Sequence, residues 1–404
     1  MKVFVAHPVR QHVRWLLGAL ESQGMLHSFW TLLPDSRKIP PLARFLIPRL
    51  HNLLRRNDLP DIPKGRIRTL SGPIIFQRVL ARAPWAFLRD FGELITWTIF
   101  DRWVSRNLAR LKPDLVIGYE MCSEKTFRQA KNMGIPCVLD AAACHFRWVD
   151  QQLESKFYSK KFHPSKSLRL RKLNETRLAD WIVCPSNLAK RTYTNQFIPQ
   201  EKVLVNSLGH DPYTFTPGRN QPSNRYRPPT FVYVGQLANH KGLDILLEAF
   251  RQTITEYPDV ILKVIGPKLS IPVKSSKNIN VLGRFTSDQL ASELASSDCL
   301  VLPSRADSYG LVVLEALAMG VPVIVSENAG VTEVIRNGEN GWTITSNSVR
   351  ALTQKMVACV KNIQQLRSMS NSCRDSVKDL TWDRYQKRSI SLYLTLCKDA
   401  RAQQ

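Results

Sequence analysis

Short, β-branched apolar runs alternate along this 404-residue chain with stretches of helical periodicity, and this alternation limits the possible folds more than any other feature. VFVAH at 3–7, DLVIGYE from 114, PCVLDA from 136, DWIVCPS from 180 and KVLVNSLG from 202 each lead through a turn into a helical pattern. Strands that alternate with helices build a parallel sheet covered on both faces. The series restarts after PGRNQPSNRYRPP at 217–229, a polar, proline-rich stretch of linker composition, with TFVYVGQL, VILKVIG, INVLG, DCLVLPS and VPVIVSE. The pattern predicts two doubly wound, Rossmann-like α/β domains, 1–217 and 218–380, on either side of a hinge near residue 220 and facing a central cleft, with a helix over 381–404.

In such sheets ligands bind beyond the carboxyl ends of the strands, so the strand-to-helix loops are where chemistry is sought. In SRADSYGLVVLEALAMGVPV (304–323), a short acidic loop runs through Gly310 into an apolar helix ending at Gly320. The helix start bares N–H groups whose partial positive charge favours an anion such as phosphate. Glu315 stands among Leu and Ala in that helix, and an ionised carboxylate there needs hydrogen-bond donors, such as the two hydroxyls of a ribose. A water-facing helix edge would equally accommodate Glu315, and helix capping would account for Asp307. In FVYVGQLANHKGLDILLEAF (231–250), a strand ends at Gly235 and Lys241-Gly242 lead into the next helix, placing a compact cation where a diphosphate would lie.

These pieces resemble the nucleotide-binding domain of the retaining GT-B glycosyltransferases of family 4, the glycosyl transferases group 1. The G-x-L-x(3)-K-G element is Gly235, Leu237, Lys241 and Gly242, and the E-x(7)-E element is Asp307 and Glu315. ADWIVCPSNLAKRTY (179–193), SLGHDPYTFTP (207–217) and ENAGVTEVIRNGENGWTI (327–344) extend the resemblance over about 179–344. It implies a GT-B fold with the terminal helix crossing back to the first domain. It implies that Glu315 holds the donor's ribose, that Gly310 and Leu311 offer N–H groups to the diphosphate, and that Lys241 neutralises it as it leaves. The resemblance adds Gly235, Gln236 and Ser304 to the nucleotide-sugar-binding set and implies that Asp307, a catalytic candidate together with Lys241 and His145, contacts the donor sugar's hydroxyls. The first-domain loop after CVLDAAACHF corresponds to where the family places a histidine near the reacting sugar, which makes His145 the candidate and Asp140 the second.

Three positions depart from the family pattern. Asp307 is one methylene shorter than the family's first glutamate. Gln236 stands where an arginine is frequent. HPVRQH (7–12) replaces a glycine-rich turn, and its His7 and Arg10, together with Asp140, are candidates for the acceptor side.

The expected reaction moves a sugar from a nucleoside-diphosphate sugar to a saccharide or lipid-linked acceptor with retention of configuration, as in surface polysaccharide or lipopolysaccharide assembly. No D-x-D pair is present to hold a metal across the diphosphate, so neither metal nor other cofactor is expected. The competing readings are a catalytically weakened sugar-nucleotide-binding or membrane-attached binding protein, and another GT-B chemistry such as sugar-nucleotide epimerisation. The formal net charge of +24, from 57 basic and 33 acidic residues, implies an anionic partner. Residues 1–110 hold 18 Lys and Arg against 7 Asp and Glu. The basic residues form no nucleic-acid recognition motif. The mixture of arginines with Trp and Phe over 34–110 fits an anionic lipid surface and equally fits helices packed on the first sheet. Eight scattered cysteines without a C-x-x-C pair fit buried free thiols in a reducing compartment. With neither a secretory signal nor an apolar run of 18 residues, the expected location is the cytoplasm, free or on the cytosolic membrane face.

Overall fold

The computed structural model describes residues 1–9, 12–33, 62–81, 85–153, 166–217, 227–267 and 271–402. Arg10, much of the 34–110 region and most of the interdomain linker lie outside the described residues. Seven parallel strands form the first sheet: β1 (Val3–Ala6), β2 (Leu26–Thr31), β3 (Ile67–Thr69), β4 (Leu115–Tyr119), β5 (Cys137–Asp140), β6 (Trp181–Cys184) and β7 (Val203–Val205), in the order β3-β2-β1-β4-β5-β6-β7. Six form the second: β8 (Thr230–Val234), β9 (Ile261–Ile265), β10 (Ile279–Gly283), β11 (Cys299–Leu302), β12 (Val323–Ser326) and β13 (Gly341–Ile344), in the order β10-β9-β8-β11-β12-β13. The central strands are covered on both faces, and apolar residues such as Val3, Phe4, Val116, Ile117, Val232, Leu300 and Ile324 have no exposed surface, whereas the edge strands β3 and β10 are partly open.

Three strands carry no clear apolar run in the sequence. β2 (LHSFWT) places Ser28 and Thr31 in buried positions, β3 has three residues, and β13 (GWTI) opens on a glycine. Tertiary pairing holds them extended where local propensity does not.

The helices used below are α1 (Val13–Ser22), α2 (Gly72–Leu80), α3 (Ala86–Leu111), α4 (Glu124–Asn132), α5 (Phe146–Leu153), α6 (Lys166–Leu178), α7 (Asn187–Thr194), α8 (Leu243–Glu256), α9 (Ser287–Ala295), α10 (Leu311–Ala318), α11 (Val349–Lys361), α12 (Ile363–Ser368), α13 (Ser370–Val377) and α14 (Trp382–Ala402). α14 lies against α1 of the first domain, where the Trp15 and Trp382 rings stack 5.1 Å apart and the Gln386 amide donates to the Trp15 carbonyl. Where the chain returns, Thr381 runs beside His210: His210 N–H donates to Leu380 O at 2.9 Å and Trp382 N–H to His210 O at 3.1 Å. Gly209 is required at this crossing, since a Cβ there would lie 2.2 Å from the Thr381 carbonyl carbon. All eight cysteines are free and buried. Among the described residues no helix is long and apolar enough to cross a membrane.

In both sheets the strand order reverses direction once, between β1 and β4 and between β8 and β11. Loops diverge at such a point and leave a crevice. The loops after β8 and β11 carry Lys241 and Asp307; those after β1, β4 and β5 carry His12, Glu120 and Ala142.

Candidate active site

The site's second-domain wall depends on two close approaches that only glycine permits. Gly242 has φ 69°, and a Cβ on it would sit 1.9 Å from the Pro303 carbonyl oxygen, so the turn after β8 lies directly on the end of β11. Gly266, at φ 152°, crosses Gly235 so closely that a Cβ would meet the Gly235 oxygen at 1.7 Å. Arg305 fastens the two loops together. Its buried guanidinium forms a two-pronged ion pair with Asp244 at 2.6 and 2.7 Å and also donates to the Asn239 carbonyl. Lys241 is thereby presented at the cavity edge, where its Nζ lies 2.6 Å from Asp307 Oδ2. The other oxygen of Asp307 accepts from Tyr309 N–H at 3.3 Å. The cap of α10 is Gly310, in the left-handed region at φ 96°, and Asp307 stabilises the turn before it.

Gly235, Lys241, Asp307, Gly310 and Leu311 line one cavity of about 470 Å³, together with Val312, Ala142 and His12. Leu311 and Val312 open α10, so no preceding turn accepts their N–H groups. Glu315 stands one helical turn behind this wall. Its half-buried carboxylate has no hydrogen-bond partner among the described residues, and desolvation, with the Asp211 carboxylate adding, pushes its pKa up to about 7. Three residues of the expected set do not line the cavity: Glu315, Ser304 and Gln236. Ser304 is fully buried at the end of β11 with its hydroxyl unpartnered, and Gln236 is exposed, its carbonyl accepting from Tyr233 Oη at 2.6 Å.

The first-domain wall is built on Asp140 at the end of β5. Its carboxylate accepts from Tyr119 Oη at 2.8 Å and lies 3.3 and 3.4 Å from Nε2 of His12. Asp140, His7, Tyr119, Glu120 and Lys172 line a second cleft of about 600 Å³, whose outer wall includes Ile74, Gln77 and Arg78 of α2 and Trp97 of α3. His7 is buried, its ring 3.9 Å from that of Tyr119 and its Nδ1 accepting from Val9 N–H, and burial lowers its pKa well below the usual range. Ala142 borders both cavities.

His145, the sequence candidate for the sugar, lines neither. It lies 2% exposed against Phe146 and Tyr193, its Nδ1 accepts from Arg147 N–H at 3.3 Å, and burial lowers its pKa to about 4. The last residue of HPVRQH, which sequence reasoning passed over, borders the cavity instead. Glu175, equally unremarked, is a buried carboxylate on α6 that accepts from Met121 and Ser123 N–H at 2.7 Å each and so shapes the loop carrying Glu120; desolvation raises its pKa to about 8.

Hydrogen bonds join the walls directly. Ser308 Oγ donates to Ala142 O at 2.7 Å, Ser186 Oγ to Ser308 O at 2.7 Å, and Tyr309 Oη to Leu208 O at 3.0 Å. The loop that bears Asp307 is therefore anchored to the first domain at three points.

Residues 217–375 match the family model of the glycosyl transferases group 1, so the second domain carries that family's sequence pattern. An N-acetyl-alpha-D-glucosaminyl L-malate synthase of Bacillus anthracis is 28% identical over 174 residues, 42% of this chain and 45% of the relative. A putative colanic acid biosynthesis glycosyltransferase of Escherichia coli is 27% identical over 175 residues, 40% of this chain and 42% of the relative. The aligned stretches thus span less than half of either relative. Among solved structures, a sucrose-phosphate synthase from Thermosynechococcus elongatus superposes with a TM-score of 0.72 at 18% identity, covering 98% of this chain and 99% of the other. The Anabaena protein HepE, solved in complex with UDP-glucose, superposes with a TM-score of 0.66 at 14% identity, covering 98% and 100%. The chain has the GT-B fold.

Proposed function

We propose that the protein is a glycosyltransferase that moves a sugar from a nucleoside-diphosphate sugar to a saccharide or lipid-linked acceptor, with retention of configuration. The observation that carries this reading is the convergence of Lys241, the open start of α10 and Asp307 on one cavity that adjoins a second cleft at Ala142. Departure of the nucleoside diphosphate builds negative charge on phosphate and positive charge on the anomeric carbon. The ammonium of Lys241 and the N–H groups of Leu311 and Val312 meet the first, and Asp307 lies within reach of the second. Losing one such contact typically costs about 3 kcal/mol, about a hundredfold in rate. The charge is met by these groups in place of a metal ion. Glu315, unpartnered one turn along α10, takes the ribose hydroxyls. The complex of HepE with UDP-glucose supports a nucleotide-sugar donor for a chain of this fold, and the family's usual course supports retention.

The acceptor lies in the second cleft, and surface polysaccharide or lipopolysaccharide assembly is its setting. The similarity to a putative colanic acid biosynthesis glycosyltransferase supports that setting. Ile75, Phe76 and Val79 are exposed on α2, whose other face lines the cleft, and Trp85 is exposed just before α3. With the net charge of +24 these side chains support attachment to an anionic lipid surface on the cytoplasmic side. Nucleic acid is not a partner in this reading.

Thermal stabilisation of the full chain by a panel of nucleotide sugars tests the donor assignment, because a bound ligand raises stability by mass action. One nucleotide and its sugar conjugate are expected to raise the melting temperature, and Glu315→Ala to abolish sugar transfer with the fold intact. Stabilisation by none of the panel, or retained transfer in that variant, overturns the reading. Co-flotation with anionic but not neutral vesicles tests the lipid surface.

A further inference from the structure

The donor cavity contains a histidine that the roles above leave unused. If the diphosphate lies at Lys241 and the start of α10, the sugar attached to it is the next group along, and the cavity wall opposite belongs to the first domain. On that wall stand Ala142, Leu208 and His12. Of these, His12 alone has a polar side chain. It occupies the position before α1 but makes no side-chain cap bond, so helix capping does not explain it.

Among the described residues the ring is held from one side only. Asp140 faces Nε2 at 3.3 and 3.4 Å and is itself fixed by Tyr119 Oη at 2.8 Å. A carboxylate at Nε2 favours the tautomer that carries its proton there, which leaves a lone pair on Nδ1. Nδ1 has no partner among the described residues. The other histidines near the clefts differ in this respect: Nδ1 of His7 accepts from Val9 N–H and Nδ1 of His145 from Arg147 N–H. We propose that His12 contacts the transferred sugar, accepting a hydrogen bond from one of its hydroxyls at Nδ1, and that Asp140 is the positioning residue that fixes the ring for this contact. The inference rests on the donor assignment above and adds the group that reads the sugar rather than the nucleotide.

Titration calorimetry with UDP, UDP-glucose, GDP and GDP-mannose on the full chain tests it. The quantity read is the ratio of affinities for the nucleotide sugar and the bare nucleoside diphosphate. His12→Ala and His12→Gln are expected to leave the diphosphate affinity within about twofold and to weaken the matching nucleotide sugar about fivefold, the value of one ordinary hydrogen bond. His12→Asn, which keeps an acceptor atom near the place of Nδ1, recovers part of the loss, whereas the glutamine, which keeps only the reach to Asp140, does not. Asp140→Asn is expected to lower the ratio with the diphosphate affinity preserved. An unchanged ratio in His12→Ala, or a parallel fall for diphosphate and sugar conjugate, overturns the proposal while the donor site stands. If His12→Ala does not fold, the glutamine and asparagine variants carry the comparison. Failure of the wild-type chain to bind any of the four removes the donor assignment itself, and this proposal with it.

Discussion

Glu315→Gln should stabilise the free protein while damaging its site, and only in alkaline solution. Burial raises this carboxyl from 4.5 to about 7. At about 1.4 kcal/mol per tenfold change in proton affinity, the ionised form carries a penalty of about 3 kcal/mol. The side chain keeps part of its contact with water, which lowers the expected figure to about 2 kcal/mol. The folded value lies above the unfolded one, so the stabilising protonated form is fully present below about pH 4.5 and lost as pH rises through about 7. Glutamine cannot ionise and escapes that loss. Urea unfolding of both proteins should give a gap below about 1 kcal/mol at pH 5 that widens to about 2 kcal/mol in favour of the variant at pH 8. Adding the nucleoside diphosphate that stabilises wild type should narrow the gap at pH 8, because the ionised carboxylate then gains ribose hydroxyls as donors. A gap that is the same at both pH values would refute the claim that desolvation sets the state of this residue.

Lys241→Ala is expected to weaken nucleoside-diphosphate binding about tenfold or more, the value of a hydrogen bond to a charged group. Asp307→Asn should strengthen it, since the lysine no longer leaves a carboxylate to reach phosphate; calorimetry on the two variants decides. Gly242→Ala places a methyl 1.9 Å from the Pro303 oxygen at a left-handed position. It should cost about 3 kcal/mol or more, read as a loss of soluble, folded protein or a lowered urea midpoint. Trp382→Ala removes the ring stacked on Trp15 and should cost about 3–5 kcal/mol, with hydrogen exchange rising in α14 and α1 and little changed in the second sheet.

The two-sheet architecture was legible because ten of the strands are mostly apolar, β-branched runs bounded by turn residues, broken only by single polar residues such as Lys263 in β9 and Asn280 in β10. β2, β3 and β13 were not, since short or polar segments become strands only when a neighbour pairs with them. In the site, Lys241, Gly310, Leu311 and Asp307 could be read from two local strand-to-helix patterns, each complete within a few residues. The ion pair between Lys241 and Asp307 could not, because it joins positions 66 residues apart. His145 and His12 show the same limit from the other side. The family resemblance pointed to a histidine near the β5 loop, and His145, which stands there, is buried against Tyr193 and lines neither cavity. The histidine that borders the cavity, His12, comes from the loop after β1 and faces Asp140, 128 positions away. Arg305 and Glu175 left no local signal either: a buried charge is recognisable only when the loop it ties down is seen.

The return of the chain beside His210 bears on how such a molecule can move. A single passage between the domains would let them twist as readily as open. Here the outward and homeward passages run alongside one another, joined by backbone hydrogen bonds on both sides of His210 and pressed together at Gly209. A two-ply strap of this kind resists torsion and yields to bending, so opening of the crevice is expected to follow one swing, and that swing must release the bonds of the Ser308–Tyr309 segment together with those from Asn187 to Glu333 and from Asn328 to Gln152.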